Sequence, residues 1–220
     1  MPTRFSFHAS NERMKRQFQL ATKKKLQASY NIAGGDNAYV LTNESDDLQI
    51  FRWGFIPHWA KEATVGDNLT TTQAAGIATK LSFRMPIRQK RCLIFADSYY
   101  EWEKDGRAKK PYRVHLHNQE LMAMAGVWDS WKGSDNKIIH TFALITVPAS
   151  AELQAIGAAS MPAVINDKAE REAWLGDTAL PVILGLLKPL EAGALEIYPI
   201  AEQVNDTANN YPDLHKLWKE

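Results

Sequence analysis

Arg91-Cys92-Leu93-Ile94-Phe95-Ala96-Asp97-Ser98-Tyr99-Tyr100-Glu101-Trp102 is the stretch on which the fold turns. Behind one arginine stands an unbroken apolar run, 92–96, and residues 91–96 read as a short strand. Asp97 interrupts it, and Glu101 follows two tyrosines in what reads as a strand-end segment. Downstream, residues 111–117, 121–127 and 141–147 repeat the strand-like pattern. Asp105-Gly106 and Gly133-Ser134-Asp135-Asn136 supply turns between them. Short turns between consecutive strands imply antiparallel pairing.

Toward the N-terminus, residues 38–41 and 48–56 read as strands around Asn43-Glu44-Ser45-Asp46-Asp47. Ser10 or Asn11 is placed to cap a first helix with Met14, Phe18 and Ala21 on one face. Residues 61–79 are rich in Thr and Ala without a clear period, and a long loop is expected there. Toward the C-terminus, Asp167-Lys168-Ala169-Glu170 resembles a capping box opening a helix that ends near Leu175, with Gly176 just after. A late strand is expected over 195–200. No repeat, linker or low-complexity tract divides the chain. The expectation is one α+β domain over residues 1–220, with a mainly antiparallel, barrel-like β core and flanking helices.

The 220 residues carry 26 Lys+Arg against 25 Asp+Glu, a net charge of +1, with 45% hydrophobic residues and one cysteine. That composition excludes a disordered, collagen-like or disulfide-dense chain. No apolar segment follows Arg4, and none approaches the roughly 20 residues of a membrane span. A cytoplasmic monomer without a membrane partner is expected. Cys92, inside an apolar run, reads as a small buried hydrophobe rather than a nucleophile.

The near-neutrality is a cancellation. Residues 1–100 hold 14 Lys+Arg and 8 Asp+Glu, whereas residues 101–220 hold 12 and 17. One basic cluster comprises Arg13, Lys15, Arg16, Lys23, Lys24 and Lys25. A second comprises Lys80, Arg84, Arg88, Lys90 and Arg91, with no acid between Asp67 and Asp97. Such a cluster is what a phosphate-binding face requires, although a solvated helix face has the same composition. His115 and His117 alternate along a strand without a third ligand, and no Gly-rich phosphate loop is present, so neither a metal nor a cofactor is expected. Trp128, Trp131 and Trp174 read as core or surface aromatics.

Several separated segments together resemble the SOS-response-associated peptidase family: Met1-Pro2-Thr3-Arg4-Phe5, Tyr30-Asn31-Ile32-Ala33-Gly34, Trp53-Gly54-Phe55-Ile56-Pro57-His58-Trp59 and Lys80-Leu81-Ser82-Phe83-Arg84. Lys90-Arg91-Cys92-Leu93-Ile94, Ala96-Asp97-Ser98-Tyr99-Tyr100-Glu101-Trp102, Met161-Pro162 and Val204-Asn205 complete the series. The resemblance implies sensing of abasic sites in single-stranded or gapped DNA. A cysteine exposed at position 2 traps the ring-opened sugar aldehyde as a thiazolidine, assisted by an Asn, a Glu and a His. On the matching positions Glu101 is the Glu, and Arg4, Arg84, Arg88 and Arg91 contact phosphates. Trp59 stacks on a base or wedges at a junction, with Ala60 beside it where some members carry a second aromatic.

This chain departs from that pattern where the chemistry sits. Position 2 is Pro2, and Cys92 matches a structural cysteine of the family. An ungapped alignment, which is favoured, puts Thr71 at the family Asn, Gln73 at an Arg and Ala75 at a Glu. A gapped alignment places Asn68 at the Asn instead. No His lies between His140 and His215, so the family His is missing. Three functions follow as expectations. The first is a catalytically degenerate protein that keeps DNA or ligand binding in the old cleft. The second is an altered enzyme using the secondary amine of Pro2 with Glu101. The third is a protein-binding module suggested by the acidic second half.

Overall fold

A computed structural model describes residues 3–22, 25–105 and 108–218. The elements in the first half are β1 (Arg4–Phe7), α1 (Asn11–Phe18), β2 (Ser29–Ala33), β3 (Asn37–Thr42), β4 (Gln49–Trp53), β5 (Thr71–Gln73), α2 (Pro86–Gln89), β6 (Arg91–Ala96) and β7 (Ser98–Asp105). They continue with β8 (Ala108–Leu116), β9 (Met122–Lys132), β10 (Ile138–Pro148), α3 (Ala151–Ala155), β11 (Ser160–Pro162), α4 (Lys168–Leu175), α5 (Leu180–Gly185) and β12 (Leu195–Pro199). Short 3-10 segments lie at Ala63–Asn68, Glu202–Asn205 and Pro212–His215.

Five strands close on themselves. β10 pairs with β4, β4 with β3, β3 with β6, β6 with β9, and β9 returns to β10. Closure removes the exposed edges that an open sheet leaves. β10 changes partners along its length. Thr141 and Phe142 lie beside β4 in parallel, and Leu144–Thr146 then pair with β5 in the same sense. On its other edge β9 accompanies it to Leu144, and β11 takes over from Thr146. A second sheet runs β12-β8-β7-β1-β2, antiparallel throughout. The α+β, mainly antiparallel barrel read from the sequence is therefore the observed architecture.

β6 and β7 are separated only by Asp97, so one continuous stretch leaves the barrel and enters the second sheet. Asp97 is the corner. Its N–H donates to Ser6 O at 3.0 Å, its Oδ1 accepts from His8 N at 2.7 Å, and its Oδ2 accepts from Arg113 at 3.0 Å. Both faces of β6 are buried, as its unbroken apolar run requires. On β9, Gly126 is required by proximity: a Cβ there would stand 2.4 Å from Ile94 Cδ1 and 2.9 Å from Ala143 O.

The helices close the ends. Ser10 Oγ accepts from Arg13 N at 3.2 Å and caps α1, burying Met14 and Phe18, with Phe18 4.8 Å from Phe95 between ring centroids. Ala21 lies beyond the helix end. Asp167 caps α4 through Glu170 N, and Gly176 ends it. The buried Trp174 indole donates to Cys92 O at 2.9 Å, fastening α4 to β6. Cys92 is wholly buried and burial pushes its thiol well up. No helix among the described residues is long and apolar enough to cross a membrane.

Two expectations change. Residues 61–79 are not one loop: they contain a 3-10 segment and β5, whose three residues are too few to show a period. Glu101 is not at a strand end but in the middle of the eight-residue β7. α5 and the pairing of β1 with β2 carry weak local patterns and are visible only in the structure.

Candidate functional site

Glu101 stands on β7 one residue past the Arg4–Tyr100 pair, beside the start of β1. It is buried, at 5% exposure. Tyr99, two residues back and on the same face, is wholly buried. Burial first, and then the Glu101 charge, push the Tyr99 hydroxyl well up, so it is a neutral phenol within electrostatic reach of that carboxylate. Pro2 lies outside the described residues.

Arg4 does not behave as a free phosphate contact. Its guanidinium donates to Val204 O at 2.5 Å, Asn205 O at 2.8 Å and Asn31 Oδ1 at 3.4 Å, and lies 5.9 Å from the Trp102 ring centroid. Asn31 Nδ2 donates to Val204 O, Asp206 O and Asn209 O at 3.2, 2.9 and 3.0 Å. Trp102 Nε1 donates to Asn205 Oδ1 at 2.7 Å. Arg4, Asn31, Trp102 and Val204-Asn205 thus form a clasp that fixes the C-terminal segment over β1 and β7. Nearby, His215 is largely buried with Nδ1 3.8 Å from Asp97 Oδ2. Burial is the main cause that lowers it to about 4; Asp97 opposes the shift, and Arg113, His8 and His115 add to it. Its Nε2 has no hydrogen-bond partner among the described residues.

Thr71 sits half-buried on β5, paired with Leu144 of β10, in the other sheet from Glu101. The alternative, Asn68, ends the 3-10 segment and is exposed. Of the histidine pair, His115 is buried and bonded to Leu116 O at 2.9 Å, whereas His117 is exposed.

The second region is open. Gly54, at φ +129°, and Gly66 approach so closely that a Cβ on either would stand within 2.7 Å of the other's carbonyl oxygen. That contact sets the path of residues 55–59 out of β4. Ile56 N donates to Thr141 Oγ1 at 2.9 Å, and Trp59 emerges 52% exposed. Trp59 lines a cavity of about 310 Å³ with His58, Leu81, Ser82, Arg84, Met85, Pro86 and Asp129. Leu81 and Met85 are exposed beside it.

The basic cluster divides here. Arg84 and Arg88 face solvent, although one Arg88 nitrogen donates to Arg84 O and to Ala78 O. Arg91 is 3% exposed. Its guanidinium donates to Trp174 O at 2.6 Å, Gly176 O at 2.6 Å, Ile87 O at 3.2 Å and Arg88 O at 2.5 Å. Arg91 therefore holds α4 to the barrel and has no donor turned to a phosphate; the sequence expectation for it is corrected. Lys90 is committed to Asp129 at 2.7 Å.

So the fold joins Trp59 and Arg84 in one cavity, with Arg88 close by in α2, and joins Arg4 and Glu101 on adjacent strands. The pairing of His58 with Asp129 was missed. The two are 71 positions apart, and nothing local marks them as partners.

Residues 1–207 match the family described as SOS response associated peptidase. The chain is 33% identical over 201 residues to the Bacillus subtilis abasic site processing protein YoqW, covering 89% of each. It is 32% identical over 219 residues to the abasic site processing protein YoaM of the same organism, covering 96% of each. A crystal structure of a Bacteroides thetaiotaomicron protein superposes with a TM-score of 0.88 at 25% identity, over 99% of this chain and 100% of that one.

Proposed function

The chain belongs to the SOS response associated peptidase family, and from that premise we propose that it engages single-stranded or gapped DNA at abasic sites without forming the family's durable crosslink. Membership and the abasic-site relatives support a role in DNA damage. The observation that carries the finer reading is Pro2. A proline nitrogen has no adjacent thiol with which to close a thiazolidine ring, so any imine it forms stays reversible. Cys92 is no substitute, because it is wholly buried and its thiol is held protonated. Binding then rests on Trp59 stacking and on Arg84 and Arg88 meeting phosphates. The acidic second half alone does not favour a purely protein-binding role over this one.

The test is an abasic single-stranded oligonucleotide. A complex is expected in a native gel that weakens with salt and leaves no adduct after denaturing electrophoresis. A heat-stable, salt-insensitive adduct overturns the proposal.

The buried Glu101 beside the start of β1 favours a second reading. With Met1 removed, the Pro2 amine attacks the sugar C1′ aldehyde and loses water to give an iminium. Glu101 takes the C2′ proton, the 3′ phosphate leaves with its bonding pair, and water releases the amine. Borohydride reduces the iminium to a trapped adduct. Absence of such an adduct with Met-processed protein rejects this reading.

A further inference from the structure

His58 is an exposed histidine held with unusual care. Its side chain is 64% exposed, yet its partner Asp129 is 2% exposed in the cavity wall. Asp129 Oδ2 accepts from His58 N and from His58 Nδ1, both at 2.9 Å. Asp129 Oδ1 accepts from Lys90 Nζ at 2.7 Å and from Ser130 N at 2.8 Å. Burial alone would raise the Asp129 carboxyl, but these hydrogen bonds together hold it below its ordinary value. An ionised carboxylate has no proton to give, so Nδ1 carries a hydrogen toward it, and Nε2 meets an anion as a donor when it carries the second proton of the imidazolium. The main chain is fixed to the same oxygen as the ring, so the placing of the imidazole is set before anything binds.

His58 lines a cavity shared with Trp59 and Arg84. Among the described residues Asp129 is the only carboxylate lining it, and that charge is met by Lys90. At about 310 Å³ the space is at the small end of ligand pockets, roughly 300–1,000 Å³, and suits a phosphate with its sugar.

Taking Trp59 and Arg84 as a DNA-contacting face, the reading given above, we infer that His58 is a phosphate-binding residue: its Nε2 and the Arg84 guanidinium grip a phosphate of the strand whose base stacks on Trp59. Asp129 holds Nδ1–H on one side of the ring, and the imidazolium donates Nε2–H to a phosphate oxygen on the other. The phosphate is either an internal phosphodiester or the terminal monoester at a gap.

The experiment measures fluorescence anisotropy of single-stranded oligonucleotides with a 5′ phosphate or a 5′ hydroxyl, over a salt series. His58→Ala is expected to bind about five- to tenfold more weakly, with a salt slope shallower by about 0.7, the contribution of one single-strand phosphate contact. His58→Gln, which keeps a donor for Asp129 without the imidazole, is expected to show the same loss at unchanged Tm. Loss with both oligonucleotides assigns an internal phosphodiester, and loss confined to the phosphorylated one assigns the terminal monoester. Trp59→Ala tests the underlying face separately. If wild type binds and Trp59→Ala weakens it while both His58 variants match wild type, the phosphate site is wrong and the DNA reading stands. If wild type does not bind DNA at all, both fall.

Discussion

The arginines occupy two kinds of corner, built in opposite ways. Around Arg4 and Arg91 the guanidiniums are turned onto main-chain carbonyls: Val204 and Asn205 for one, Trp174 and Gly176 for the other. Around Arg84 and Arg88 the side chains stand at the surface beside an exposed Trp59 and an exposed Met85, and among the described residues only one Arg88 nitrogen is given to carbonyls, those of Ala78 and Arg84. The four belong to segments that a family motif would treat alike. The difference is set by what surrounds each arginine: a buried guanidinium is tolerable only when its five N–H groups are answered, and main-chain carbonyls at a helix end or segment turn can answer them. An arginine so satisfied stabilises the fold and is lost to a ligand.

The sharpest way to break that contrast is Arg91→Ala. It removes donors from four carbonyls and leaves a void under α4, and a loss of about 3–4 kcal/mol in urea unfolding is expected. A loss below about 1 kcal/mol would place Arg91 with Arg84 rather than with Arg4.

Acid probes the clasp corner next. His215 titrates at about 4 in the fold against about 6.5 when unfolded, so between those values the unfolded chain binds more protons. Stability is therefore full above pH 6.5 and falls as pH drops toward 4, by about 3 kcal/mol from this residue. His215→Gln should flatten that part of the pH–stability curve; an unchanged slope would show that the neutral imidazole is not what the clasp depends on.

The smallest effect on stability belongs to the open face. Arg84→Gln with Arg88→Gln should alter unfolding free energy by less than about 0.5 kcal/mol. The same pair should make the salt slope for single-stranded DNA shallower by about 1.4. A large stability loss would erase the distinction between the corners.

How far the sequence could foresee this follows from the same contrast. β6 was legible because five apolar residues in a row suit little else, and α1 and α4 because Ser10 and Asp167 announce their starts. β5 was not, because three residues gain strand form only from pairing with β10, more than seventy positions later. Glu101 and Trp59 could be picked out by the motifs around them. The burial of Arg91 could not, since Arg84, Arg88 and Arg91 follow one another at similar spacing and nothing local tells which turns inward. The His58–Asp129 pair was hidden for the same reason as β5: each residue is unremarkable until the barrel brings it to the other.

The clasp also orders events in time. Arg4 and its acceptor Val204 are 200 positions apart. While the chain is being synthesised, Arg4 and Asn31 wait for partners made some 170 to 200 positions later. Contacts of such separation close late in folding. The outer end of β1 thus stays unfastened until residues 204–205 have been made, however early its own pairing strands are complete.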